Sequence, residues 1–219
     1  IIERHHIEKT QEIEDLINIL ASAIGSLTNV PKIESTFRSV LQSKISGNTI
    51  RQYIEYLEDA FIIHKANRYN VKGRKYIGTP VKYYFEDVGL RNARLGFGQV
   101  EETHLMENII YNELRSRGYA VDVGIVEKRK KDASGKAERK QLEIDFVANK
   151  GSQRYYIQSA FAMPDEHKQK QEKMSLLQVK DSFKKIIVVK DVVNVLRDEN
   201  GITTMSVYDF LLKDNSLEL

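Results

Sequence analysis

The chain of 219 residues has no cysteine. Disulfides, thiolate metal sites and cysteine nucleophiles are thereby excluded, and the composition suits a cytoplasmic protein. Long apolar runs are also missing: stretches such as Ile186 to Val189 are far too short to cross a bilayer, so no membrane contact is expected. The first residues, Ile1-Ile2-Glu3-Arg4-His5-His6, lack the charged-then-apolar order of a signal peptide. They begin with Ile rather than Met, so the chain reads as a piece of a longer polypeptide. No strong charge bias exists either, with 34 Lys and Arg against 31 Asp and Glu. A case for a nucleic-acid partner must therefore rest on where cations cluster. No G-x-x-x-x-G-K-[ST] run occurs, so no phosphate loop for ATP is expected and no cofactor in this segment. Internal repeats and low-complexity tracts are absent.

What is present is enough apolar residue, 41%, for ordinary cores, and a change of pattern along the chain. The first part reads as helices. Apolar positions recur at Ile13, Leu16, Ile17, Leu20, Ala21 and Ile24 within Ile7 to Leu27, and Asn29-Val30-Pro31 breaks the pattern. A second helix is predicted from Lys32 to about Gln42. Ser46-Gly47-Asn48-Thr49 caps a third, with Ile50, Tyr53, Ile54 and Leu57 on one stripe. Strands Ile62 to Tyr69 and Lys75 to Phe85 flank a turn at Val71-Lys72-Gly73-Arg74. Three helices and a hairpin are the winged-helix arrangement, in which the third helix or the wing meets DNA. Candidate contacts are Arg51 on the third helix and Arg68, Lys72, Arg74 and Lys75 on the wing, where Lys65 and Lys82 also gather. Glu55, Glu58 and Asp59 would repel phosphate from the end of that helix.

A glycine-containing stretch, Gly89 to Gly98, separates this part from an amphipathic helix over Glu102 to Gly118. Strands follow at Tyr119 to Val126, Leu142 to Ala148 and Arg154 to Met163. Between the first two lies a charged hairpin or loop with Lys128, Arg129, Lys130, Lys131, Lys136, Arg139 and Lys140, by default a solvated charge run and alternatively a contact for a polyanion. A helix over Glu166 to Val179, a strand over Lys185 to Lys190 and a strand-to-helix segment over Thr203 to Leu212 complete the chain. The fold class is α+β in two modules: winged-helix-like helices with a β-hairpin over 1–95, and an α/β domain over 96–219.

Chemistry concentrates on two strands of the second module. Strict alternation puts Leu142, Ile144 and Phe146 on one face and Glu143 and Asp145 on the other, while Gln158 and Ala160 share a face. With Glu107 on the preceding helix, this is the layout of a PD-(D/E)XK restriction-endonuclease-like fold. Phosphodiester cleavage there needs carboxylates to hold Mg²⁺, which lowers the pKa of bound water, and a lysine near the developing charge. Glu107, Asp145 and Gln158 form the candidate catalytic set, and Glu107, Glu143 and Asp145 the candidate metal ligands. Gln158 stands where a second carboxylate would be and Ala160 where the lysine would be. His5 and His6 are incidental, and His64, His104 and His167 have no ligand spacing.

Four segments carry a family resemblance. Thr49 to Ile63 resembles the "T-hydrophobic-x-x-Y-hydrophobic-x-x-L-E-x-A" stretch of a family of prokaryotic AAA+-type ATPases with a C-terminal domain of unknown function. Lys82-Tyr83-Tyr84-Phe85-Glu86-Asp87-Val88-Gly89-Leu90-Arg91 resembles its "K-x-Y-F-x-D-x-G-L-R" signature. Leu105 to Leu114 resembles its "L-x-E-N-x-V-x-x-E-L" helix, and Glu143-Ile144-Asp145-Phe146 its "E-V-D-F" strand. The resemblance implies a nuclease-like fold and an ATPase domain upstream in the same polypeptide. Many members continue with a Glu-x-Lys strand, from which Gln158 and Ala160 depart. The leading expectation is a C-terminal ATPase module that binds DNA or a protein partner through a winged helix and a catalytically degraded nuclease fold. The alternatives are an active metal-dependent DNA nuclease, with Mg²⁺ as its cofactor, and a protein-interaction module regulating the ATPase.

Overall fold

Local chemistry sets most element boundaries in the computed structural model, which describes residues 1–98, 100–131, 137–191 and 193–219. Helix α1 (Thr10–Ser22) buries Ile13, Leu16, Leu20 and Ala21 on the predicted stripe. It stops five residues short of the predicted Leu27, because Gly25 takes a left-handed φ of 69°. Asn29 breaks one helix by starting the next: its side chain accepts from the Lys32 N–H, and Pro31 fills the first turn of α2 (Val30–Ser39). Ser46 caps α3 (Gly47–Asp59), which buries Ile50, Tyr53, Ile54 and Leu57.

Strands β1 (Ile63–Asn70) and β2 (Lys75–Phe85) follow, β2 with the predicted bounds. The predicted glycine-containing spacer instead holds a helix, α4 (Val88–Arg94). Asp87 caps it, accepting from the N–H groups of Gly89 and Leu90. Arg91, fully buried, donates through Nε to the Ala21 carbonyl and so ties α4 to the end of α1. Then come α5 (Glu102–Ser116), β3 (Ala120–Lys131), β4 (Ala137–Lys150), β5 (Gln153–Ala160), α6 (Glu166–Leu176), β6 (Lys184–Val189), β7 (Leu196–Arg197), β8 (Ile202–Ser206) and α7 (Val207–Leu212).

The result is mixed α/β, with seven α-helices and an eight-stranded sheet among the described residues, in the order β2-β1-β3-β4-β5-β6-β8-β7. The hairpin expected as a wing lies at the edge of the sheet: β1 runs parallel to β3, with Arg68, Tyr69 and Asn70 opposite Val123, Gly124 and Ile125. Two compact units divide the chain, 1–66 with 78–108 and 67–77 with 109–219, so the hairpin base belongs to the first and its tip to the second.

The predicted alternation on β4 breaks. Asp122 pairs with Val147 and Gly124 with Ile144, leaving Asp145 and Phe146 opposite Val123 alone. This is a β-bulge, which reverses the faces beyond it. Ile144 and Val147, three apart, consequently share one apolar cluster with Leu142 packed against it. The Phe146 ring lies 6.1 Å from that of Tyr111 on α5.

Candidate functional site

In the first unit, strand and helix motifs meet. Alternation along β2 presents Lys82 and Tyr84 together, and α5 brings Glu107 to them. Glu107 Oε1 accepts from Lys82 Nζ at 2.8 Å and from the Tyr84 hydroxyl at 2.6 Å. The Lys82 and Glu107 side chains are only 4% and 10% exposed, so this is a buried ion pair with an added hydrogen bond. Gly25 backs it: a β-carbon there would lie 3.1 Å from Glu107 Oε2. The neighbouring Asn108 acts like a strand partner, accepting from the Phe85 N–H at 2.8 Å and donating to its carbonyl at 2.7 Å. Sequence reasoning places Lys82 among surface cations of the wing and gives no role to Tyr84 or Asn108. The signal lies in the two-residue spacing of Lys82 and Tyr84 and the adjacency of Glu107 and Asn108.

In the second unit, Asp145 sits at a strand fork. β4 and β5 pair from Lys150 opposite Gln153 up to Phe146 opposite Ile157, and Gln158, Ser159 and Ala160 then pair with Ile187, Val188 and Val189 of β6. Asp145 Oδ2 accepts the Ser159 N–H at 2.8 Å across that fork. The carboxylate is buried, with the residue 8% exposed. Gln158 Oε1 accepts from the Ser175 hydroxyl of α6 at 3.3 Å. Ala160 is 2% exposed within the apolar cluster that also contains Tyr156, Leu176 and Val189.

Beside the fork, a cleft of about 540 Å³ is lined by Lys140 and Glu143 of β4, Gln158 of β5, and His167, Lys170 and Glu172 of α6. Lys168 pairs with Glu172 at 2.5 Å, and Lys170 with Glu166 at 3.5 Å. Among the described residues, no three His, Asp or Glu side chains gather in a way that could hold a metal ion. Glu143 and Gln158 are thus brought into one cleft, Asp145 marks the fork next to it, and Glu107 is engaged within the first unit.

The candidate nucleic-acid contacts divide by exposure. Lys72, Arg74 and Lys75 are exposed around the hairpin turn, which Asn70 closes by accepting the Gly73 N–H at 2.6 Å. Lys72, Arg74 and Lys180 share a cleft of about 320 Å³ with Glu127 and Asp181. Arg68 is half-buried and donates to the Gln141 side chain at 3.3 Å. Arg51 on α3 donates to Asn48 at 2.7 Å, and its helix also exposes Glu55 and Asp59. Burial pushes the Glu58 carboxyl above its ordinary pKa, and the Lys65 ammonium 3.8 Å away offsets this only in part. Of the charged stretch between β3 and β4, Lys136 and the side chains of Arg129, Lys130 and Lys131 lie outside the described residues.

Comparison with known proteins matches residues 1–101 to a domain of unknown function (DUF8612). An uncharacterized protein of Haemophilus influenzae is 33% identical over 97% of this chain and 49% of its own length. An uncharacterized protein of Methanocaldococcus jannaschii is 28% identical over 83% of this chain and 38% of its own length. The chain thus spans about half the length, or less, of these prokaryotic relatives. Among the described residues, no helix is long and apolar enough to cross a membrane.

Proposed function

We propose that this chain is the C-terminal module of an AAA+-type ATPase and that it binds nucleic acid without cutting it. The observation that carries the reading is the make-up of the cleft beside the β4–β5 fork. A nuclease would gather carboxylates there around Mg²⁺. This cleft intersperses Lys140, Lys170 and His167 with Glu143, Glu172 and Gln158, so its carboxylates are not gathered around one point as a divalent cation requires. Lys140 and Lys170 are the groups that would meet phosphate oxygens. Glu107 and Asp145 fit the same reading, since Glu107 neutralises a buried lysine and Asp145 holds a strand backbone. The exposed cations of the hairpin tip, Lys72, Arg74 and Lys75, supply further phosphate contacts. The chain order of the Glu107 helix, the Asp145 strand and the strand carrying Gln158 and Ala160 supports reading the α/β part as restriction-endonuclease-like. The greater length of both relatives leaves room for an ATPase domain.

Anisotropy of a fluorescent DNA duplex titrated with the chain tests binding, and supercoiled plasmid incubated with Mg²⁺ or Mn²⁺ tests cleavage. The expected result is salt-sensitive binding, weakened by Arg74→Glu with Lys75→Glu, and no nicking. Absence of binding at low salt would sink the nucleic-acid reading, and nicking abolished by Asp145→Ala would replace it with an active nuclease. A protein partner is the second reading for the first unit, favoured by Glu55 and Asp59 on the exposed face of α3. Absence of DNA binding by the natural chain at low salt would leave this second reading standing.

A further inference from the structure

The antiparallel pair β3–β4 outruns the sheet. β1 is paired with β3 only as far as Asn70 opposite Ile125, and β5 with β4 only as far as Phe146 opposite Ile157. From Glu127 opposite Gln141 to Lys131 opposite Ala137, β3 and β4 pair with each other and, among the described residues, with no further strand. These five rungs make a two-stranded ribbon roughly 14 Å long at the usual rise of a strand.

Its charge is unlike that of the rest of the chain. Residues 127–140 contain seven Lys and Arg against three Asp and Glu, a net +4, whereas the whole chain is +3, so all other residues together sum to −1. The register compounds this, setting Lys128 opposite Lys140 and Arg129 opposite Arg139 against one pair of opposite sign, Lys130 with Glu138. Like charges directly opposite destabilise a pair of strands, and a bare two-stranded ribbon is marginal in water. A polyanion seated on the ribbon would relieve both penalties. Arg139 and Lys140 are exposed.

We propose that this ribbon enters the major groove of duplex DNA. The B-form groove, about 12 Å wide, admits a two-stranded ribbon, whereas the A-form RNA groove is too narrow and deep. The ribbon would contact phosphates on both walls, with Lys128, Arg139 and Lys140 as contacts. The proposal rests on the nucleic-acid reading above and moves the principal contact from the β1–β2 tip to the β3–β4 ribbon.

The test measures binding of the whole chain to a short fluorescent duplex across about 50 to 200 mM salt. Three proteins are compared: the natural sequence, a ribbon variant (Lys128→Gln, Arg139→Gln, Lys140→Gln) and the hairpin variant (Arg74→Glu, Lys75→Glu), with folding checked by circular dichroism. The ribbon variant should bind at least tenfold more weakly. Its plot of log affinity against log salt should be shallower by about 0.9 for each phosphate that is no longer neutralised. If the natural chain binds and the ribbon variant matches it, the ribbon is an edge protected by charge and the proposal fails alone. If the natural chain does not bind at all, the nucleic-acid reading falls with it. Equal affinity for duplex RNA overturns groove entry.

Discussion

Glu107 takes two donors on one carboxylate oxygen, and both come from β2. Removing it takes away the carboxylate that faces the Lys82 ammonium, where only 4% of the lysine side chain reaches water. Breaking one side of a buried pair costs about 3–5 kcal/mol, while replacing both sides by apolar groups is often close to neutral. Glu107→Ala should therefore lower the urea midpoint sharply, and Glu107→Leu combined with Lys82→Met should recover most of the loss. An unchanged midpoint in Glu107→Ala would remove the structural role assigned to the pair. Asp122 behaves oppositely to a stabilising acid. Burial raises its pKa, and the hydrogen bond from the Tyr76 hydroxyl and the charge of Arg154 only partly offset this. The folded protein thus holds the Asp122 proton more tightly than the unfolded chain does. This group's contribution to stability improves as pH falls through the folded pKa. Asp122→Asn should raise the melting temperature at about pH 7, with the gain shrinking toward zero as pH falls below the unfolded carboxylate range. A gain that grows on acidification would contradict that sign.

At the scale of elements, caps and stripes were legible where the signal was local. Ser46 and its following apolar stripe mark α3, and the punctuation on both sides of Lys75 to Phe85 marks β2. The helix α4 leaves little trace in the sequence, because its seven residues include the weak helix formers Val88, Gly89 and Asn92. It is held by Asp87 and by the buried Arg91 instead. β7 has only two residues and no period to detect. The bulge on β4 was invisible for a different reason: an extra residue in one strand is defined by its neighbour, not by its own sequence. The partner side of that bulge offers a test. A β-carbon on Gly124 would stand 2.8 Å from Val147 Cγ2 and 3.0 Å from Ile144 Cβ. Overpacking of this kind costs about 1–3 kcal/mol, so Gly124→Ala should lower the melting temperature measurably. A neutral result would mean that β3 and β4 can slide apart at the bulge without penalty.

Across the whole molecule, the candidate site was legible as residue types in order but not as a set of contacts. Motif order groups Glu107 with Asp145, yet the partners of Glu107 are chosen by burial on the β2 side, which no spacing rule reveals. Gln158 and Glu143 share one expected site, and both line the cleft. Ala160 shows how packing limits what this strand can carry. Its small side chain is packed at 2% exposure in the cluster with Tyr156, Leu176 and Val189. A lysine there would have to carry its ammonium into that cluster or force the strands and α6 apart, whereas Gln158→Glu changes only a cleft wall. Gln158→Glu is expected to fold with a normal melting temperature, and the same chain with Ala160→Lys added to melt clearly lower by circular dichroism; equal melting temperatures would show that the cluster admits the lysine. The two positions are thus unequal in what they tolerate. One lies on a cleft wall and admits a charge, but the other has been closed over by its neighbours, so packing alone bars a cation from that place in the strand.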